Sequence, residues 1–153
     1  MDLQRELDTG FPASRARRTT LLLIADTSPG ATRAARACIE LARAIDADVV
    51  VVHVHERNAW LDGTGDFKTL DEAEQFVTRV AEQIHRADVR ARAEILTVRT
   101  GHKAAALRAT ACRDGIDLLV VAVPKTSRWR RRPGCGFLDG LVRESSRPVV
   151  AIA

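Results

Sequence analysis

The sequence predicts an α/β fold: a three-layer, doubly wound sandwich around a five-stranded parallel sheet. Two observations predict it. Apolar runs of strand length recur at 20–26, 49–54, 118–123 and 148–153, as in strands covered on both faces. The segments between them carry helical periodicity or rim residues, and they are long enough for right-handed crossovers. The resulting order is β-α-β-α-β-α-β-α-β.

Each element has its own signal. Thr20 to Asp26 is an apolar run closed by an acid. Thr27-Ser28-Pro29-Gly30 then opens a helix, with Ser28 as the expected N-cap. Apolar positions 31, 34, 38, 41 and 45 keep helical spacing, and Asp46-Ala47-Asp48 closes the helix. The second strand is Val49 to Val54, and residues 56–67, with Gly63 and Gly65, read as a surface loop. A helix follows from about Thr69 to His85, with Leu70, Ala73, Val77, Val80 and Ile84 on one stripe. Arg92 to Arg99 alternates and forms the third strand. Gly101 precedes a helix through Leu107 and Ala111 that Gly115 stops. The fourth strand, a loop at 124–136, a helix from Phe137 and the fifth strand complete the domain. Residues 1–18 are polar and contain Arg15-Ala16-Arg17-Arg18; they read as a loose extension to a single domain at 19–153.

Composition narrows the function. The hydrophobic fraction is 46% and the charged fraction 29%, values of a soluble globular chain, and the apolar runs are too short to span a bilayer. Met1 to Glu6 is mixed in charge and does not read as a secretory signal. The three cysteines, Cys38, Cys112 and Cys135, are odd in number and form no C-x-x-C, which fits a reducing cytoplasm and argues against a zinc site. There are 24 basic and 20 acidic residues. Five of the basic ones (Lys125, Arg128, Arg130, Arg131 and Arg132) lie in the 124–136 loop, which holds no acid; without it the balance is 19 to 20. Charge this concentrated suits a phosphate, an acidic partner protein or a solvated loop. Trp129 sits among the arginines, but no second aromatic accompanies it and aromatics are 4% of the chain, so nucleic acid is not expected.

Ligands of open parallel sheets bind beyond the carboxyl ends of strands, where the strand order reverses. The candidate rim is therefore Asp26-Thr27-Ser28, His53-Val54-His55, Arg99-Thr100-Gly101 and the segment from Ala122 to Gly136. Asp26 can accept a hydrogen bond from an amino group. The amides of Gly136 and Phe137 open a helix and can hold an anion. Together they suggest an adenine nucleotide lying across the switch point. His53 and His55 share a strand face, but no third ligand is evident, so they read as core or rim histidines. Cys135 lies between two glycines beside the basic loop, a setting that lowers a thiol pKa and marks it as the candidate reactive cysteine.

The segments Leu-Leu-Leu-Ile-Ala-Asp-Thr-Ser-Pro, Asp-Val-Val-Val-Val-His-Val, Gly-Ile-Asp-Leu-Leu-Val-Val-Ala-Val and Arg-Pro-Val-Val-Ala-Ile resemble, in order, the universal stress protein family over residues 19–153. The resemblance implies strand order 3-2-1-4-5, as in adenine nucleotide alpha hydrolase-like folds, and a dimer. It also implies adenine contacts at Asp26 and Val54. The ATP-binding branch carries Gly-x2-Gly-x9-Gly-Ser/Thr after the fourth strand. Those positions fall on Ala122, Lys125, Cys135 and Gly136, and none of the four matches. The adenine side is kept and the phosphate side is rewritten, with Thr126, Ser127 and Arg128 as replacement donors. ATP or another adenine nucleotide is thus a candidate ligand, without tight ATP binding. The final strand, with Val149, Val150, Ala151 and Ile152, presents an apolar edge, expected to pair with a second copy as a homodimer. No activated nucleophile or carboxylate pair can be assembled, so the expectation is a stress-linked binding module without catalysis.

Overall fold

The computed structural model describes residues 17–57, 67, 69–123 and 136–153. The chain forms β1 (Thr20–Ile24), α1 (Ala31–Ala44), β2 (Asp48–Arg57), α2 (Leu70–His85), β3 (Ala91–Arg99), α3 (Lys103–Arg113), β4 (Leu118–Ala122), α4 (Gly136–Glu144) and β5 (Val149–Ile152). The five strands make one parallel sheet of order β3-β2-β1-β4-β5. β1 pairs with β2 in the register Leu22↔Val50 and with β4 in the register Leu22↔Leu119.

Strand alternation divides the core in two. Leu21, Leu23, Val49, Val51 and Val120 face α1 and α2, meeting Ala34, Cys38, Val77 and Ile84. Leu22, Ile24, Val50, Val52, Leu119 and Val121 face α3 and α4, meeting Leu107, Ala111 and Leu141. This burial on both faces is why β1, β2 and β4 carry unbroken aliphatic runs.

Element ends follow local chemistry, and one helix start and one strand end depart from the sequence expectation. Ser28 is not the N-cap of α1; Gly30 is, with no side-chain cap bond. The Ser28 N–H instead donates to Asp26 Oδ1 at 3.0 Å, and the Ser28 carbonyl accepts from Ala31 N–H at 3.0 Å. An Asx-type turn therefore competes with the serine for the role. β2 also runs on to Arg57, through the start of the expected loop, because Glu56 and Arg57 still pair with Val98 and Arg99. Thr69 caps α2 by accepting from the Glu72 N–H. α3 ends as its glycine predicts. Gly115 is left-handed (φ +61), the Ile116 N–H donates to the Ala111 carbonyl at 2.9 Å, and the Gly115 N–H to that of Cys112.

Ion pairs gather at the amino end of the sheet. Arg17 donates to Asp117 Oδ1 at 2.9 Å and to the Gly115 carbonyl, and Thr20 N–H donates to Asp117 Oδ2 at 2.9 Å. Arg18 pairs with Asp46 and Asp48, and Arg90 grips Asp48 through two nitrogens. Arg17 and Arg18, at the end of the polar extension, are thus tied to the domain. On the β3 flank, Arg92 and Arg113 both bind Glu94 and Asp114. Hydrogen bonds from Arg113 hold the Asp114 carboxyl well below the usual carboxylate range; partial desolvation opposes this and Arg92 reinforces it.

Because this folded-state pKa lies below the unfolded one, its stabilisation is complete above about pH 4 and fades as pH falls towards the folded value. The stability difference between the wild type and Asp114→Asn, from urea unfolding, should stay constant between neutral and mildly acidic pH. It should narrow only below the ordinary carboxylate range.

Candidate functional site

The strand order reverses between β1 and β4, so the chain ends leaving these strands border the place where an open parallel sheet takes its ligand, the candidate crevice. Asp26 is half-buried at the β1 end, with one carboxylate oxygen held by the Ser28 N–H at 3.0 Å. Thr27 is exposed and Ser28 half-buried. Across the crevice, Ala122 is half-buried and Val123 buried, and the Val123 N–H donates to the Ile152 carbonyl at 2.7 Å. Val54 is buried on the α3/α4 side of β2. Gly136 and Phe137 open α4.

Gly30 closes the gap between α1 and β4. A Cβ built there would stand 3.3 Å from the Ala122 Cβ and 3.7 Å from the Val123 carbonyl oxygen. Its backbone is right-handed, so the requirement is for space and not for an unusual φ.

His53 fixes the β1 end from the other side. It is 3% exposed, and its Nδ1 lies 2.9 Å from the Ala25 carbonyl, so that nitrogen carries the proton and donates. Phe67 and Phe76 meet the ring edge-on, with centroids at 5.1 and 5.9 Å. The histidine is thus a core residue that orients the peptide just before Asp26. Among the described residues no group of three metal-ligating side chains occurs.

Two cations near the crevice escaped the sequence reading. Arg33, in the first turn of α1, donates from Nε to the Ala153 carbonyl at 3.0 Å, with its guanidinium beside Gly30. Lys103 at the start of α3 holds its ammonium 4.5 Å from the centre of the Phe137 ring. Lys103 follows Gly101 and His102 directly, so extending the β3 rim by two residues includes it. Arg33 has no such signal, because its place depends on how α1 crosses β4. The edge strands also differ. β3 carries Arg92, Glu94 and Arg99, whereas Val149, Val150, Ala151 and Ile152 make up β5, with Ala151 exposed. Lys125, Thr126, Ser127, Arg128, Arg130, Arg131, Arg132 and Cys135 lie outside the described residues. Of the other cysteines, Cys112 is exposed, while burial pushes the Cys38 thiol up to about 12 and leaves it unreactive.

The sequence profile of the universal stress protein family matches residues 18–153. The chain belongs to the universal stress protein family. Among solved structures, the universal stress protein UspA of Lactobacillus plantarum superposes with a TM-score of 0.67 at 18% identity, covering 90% of this chain and 99% of that one. The universal stress protein of Archaeoglobus fulgidus in complex with dAMP gives 0.64 at 20%, covering 89% and 98%. A family member from Arabidopsis thaliana with AMP bound gives 0.61 at 18%, covering 88% and 90%. At these identities the likeness carries the fold, including the 3-2-1-4-5 sheet that the sequence resemblance implied. A search of curated proteins finds no match. No helix among the described residues is long and apolar enough to cross a membrane.

The tight approach at Gly30 is directly testable. Gly30→Ala should cost less than about 1 kcal/mol, since Ala122 need give only slightly. Gly30→Val should cost about 1–3 kcal/mol through overpacking against β4, read as a shift in the urea midpoint. Equal stability of the two variants would mean that α1 stands further from β4.

Proposed function

We propose that this universal stress protein acts by binding and not by catalysis, as a homodimeric stress-response module whose β1/β4 crevice takes an adenine nucleotide. The observation that carries the reading is Asp26. One of its oxygens is used by the Ser28 N–H, which fixes the carboxylate at the crevice and leaves the second oxygen to accept from an exocyclic amino group. Val54 and Ala122 border the strand ends on opposite faces of the sheet, and Arg33 and Lys103 supply charge near the rim. Solved family members with dAMP and AMP support the ligand class. Lys125 and Gly136 stand where the ATP-binding branch has a glycine and a hydroxyl residue, so a monophosphate is favoured over tight ATP binding.

Asp26→Asn separates turn from ligand. The amide oxygen can still accept from Ser28, but the amide NH2 then faces another donor. Calorimetric titration with AMP should show affinity falling by about 10- to 100-fold with unfolding unchanged. Equal affinity in the variant, or no heat with AMP or ATP in the wild type, would remove the crevice reading.

The dimer reading rests on the aliphatic β5 edge. Ala151→Lys should turn a dimer into a folded monomer in light scattering coupled to gel filtration. A dimer that persists would place the interface elsewhere.

A further inference from the structure

A groove of about 280 Å³ lies between α3 and the connection from α4 to β5, away from the crevice. Its polar lining is Arg108, Cys112, Glu144, Ser145, Ser146 and Arg147. The connection is locally fixed. The Ser145 N–H closes the last turn of α4 onto the Leu141 carbonyl at 3.0 Å. Ser145 Oγ accepts from the Arg147 N–H at 3.0 Å and donates to the Arg147 carbonyl at 2.9 Å. Pro148 restricts Arg147 further, so the arginine springs from a rigid base.

Two guanidiniums converge here with their bonding incomplete. Arg108 donates from a terminal nitrogen to Glu144 Oε2 at 2.7 Å. Its Nε is buried and has no hydrogen-bond partner among the described residues, and the same is true of Arg147 Nε. No carboxylate lies within ion-pair distance of Arg147 among the described residues. A buried N–H without an acceptor is unfavourable, and structures rarely leave two together. Both arginines line the groove, so an acceptor bound there meets guanidiniums whose bonding is incomplete.

We propose that this groove is a second anion site, which takes a phosphate group between Arg108 and Arg147. Glu144 meets Arg108 through one oxygen and one terminal nitrogen, which leaves the rest of that fork to a further acceptor. Two forks from different elements, with the exposed Ser146 hydroxyl beside them, offer donors from several directions and suit a tetrahedral anion. Glu144 competes for Arg108, so the site is tuned for modest affinity. It shares no residue with the crevice and does not depend on nucleotide binding there.

The test follows the arginine Nε–Hε signals by 15N NMR at constant ionic strength, with inorganic phosphate replacing chloride. Two arginine side-chain signals should move and saturate. Arg147→Gln should raise the dissociation constant about tenfold, and Glu144→Gln should lower it. Arg79→Gln, an exposed α2 position with the same charge change, should leave it unaltered. Glycerol phosphate in place of inorganic phosphate asks whether a monoester is also accepted. Saturation by both assigns the site to phosphomonoesters, and by phosphate alone to the free ion. Shifts that never saturate, equal effects of Arg147→Gln and Arg79→Gln, or the same response to acetate would overturn the proposal.

Discussion

The structure depends on the burial of β1. Leu21, Leu22, Leu23 and Ile24 are each at most 2% exposed, packed on both faces and hydrogen-bonded on both sides to β2 and β4. A strand so enclosed cannot slip by one residue, because a slip would exchange its two faces. Its carboxyl end is therefore held beside that of β4. The chain runs outward from β1 through β2 to β3, then crosses back to β4 and β5, so the gap opened by that reversal falls where Asp26 emerges.

Stability and ligand chemistry occupy opposite ends of the sheet. The amino end is closed by Arg17, Arg18 and Arg90 on Asp46, Asp48 and Asp117. These pairs are exposed, so each contributes modestly; their effect is to tie the entry of the domain to the starts of β2 and β4. Among the described residues the carboxyl end is held by specific contacts: His53 on the Ala25 carbonyl, Asp26 on Ser28, Gly30 against Ala122, and Arg33 on Ala153. Of these, the Asp26 contact holds a carboxylate at the end of β1 through its own turn. The edges divide in the same way, with charge and ion pairs along β3 and aliphatic residues along β5.

Strands and helices were legible because burial on both faces and helical periodicity write themselves into composition. Thr20 to Asp26 and Leu118 to Val123 read directly as buried strands, and Gly115 as a helix stop. Ser28 misled because a local cap signal competes with Asp26 two residues earlier, and only the backbone path decides between them. The extra length of β2 depends on β3 extending beside it, which the residues 56–57 do not encode alone. Asp26, Val54 and Ala122 are candidates that strand ends pick out, with Asp26 and Val54 also implied by the family resemblance. Arg33 carries no such signal, since its position is set by packing between segments distant in sequence, and the same holds for Arg108 and Arg147 lining one groove.

The most direct test of the shared β1/β4 crevice is an amide chemical-shift map during titration with AMP. The account predicts saturable shifts concentrated at Ser28, Gly30, Val54, Ala122 and Val123, the residues that border the reversal in strand order. Shifts absent from both strand ends, or confined to β3 and the amino end of the sheet, would contradict it.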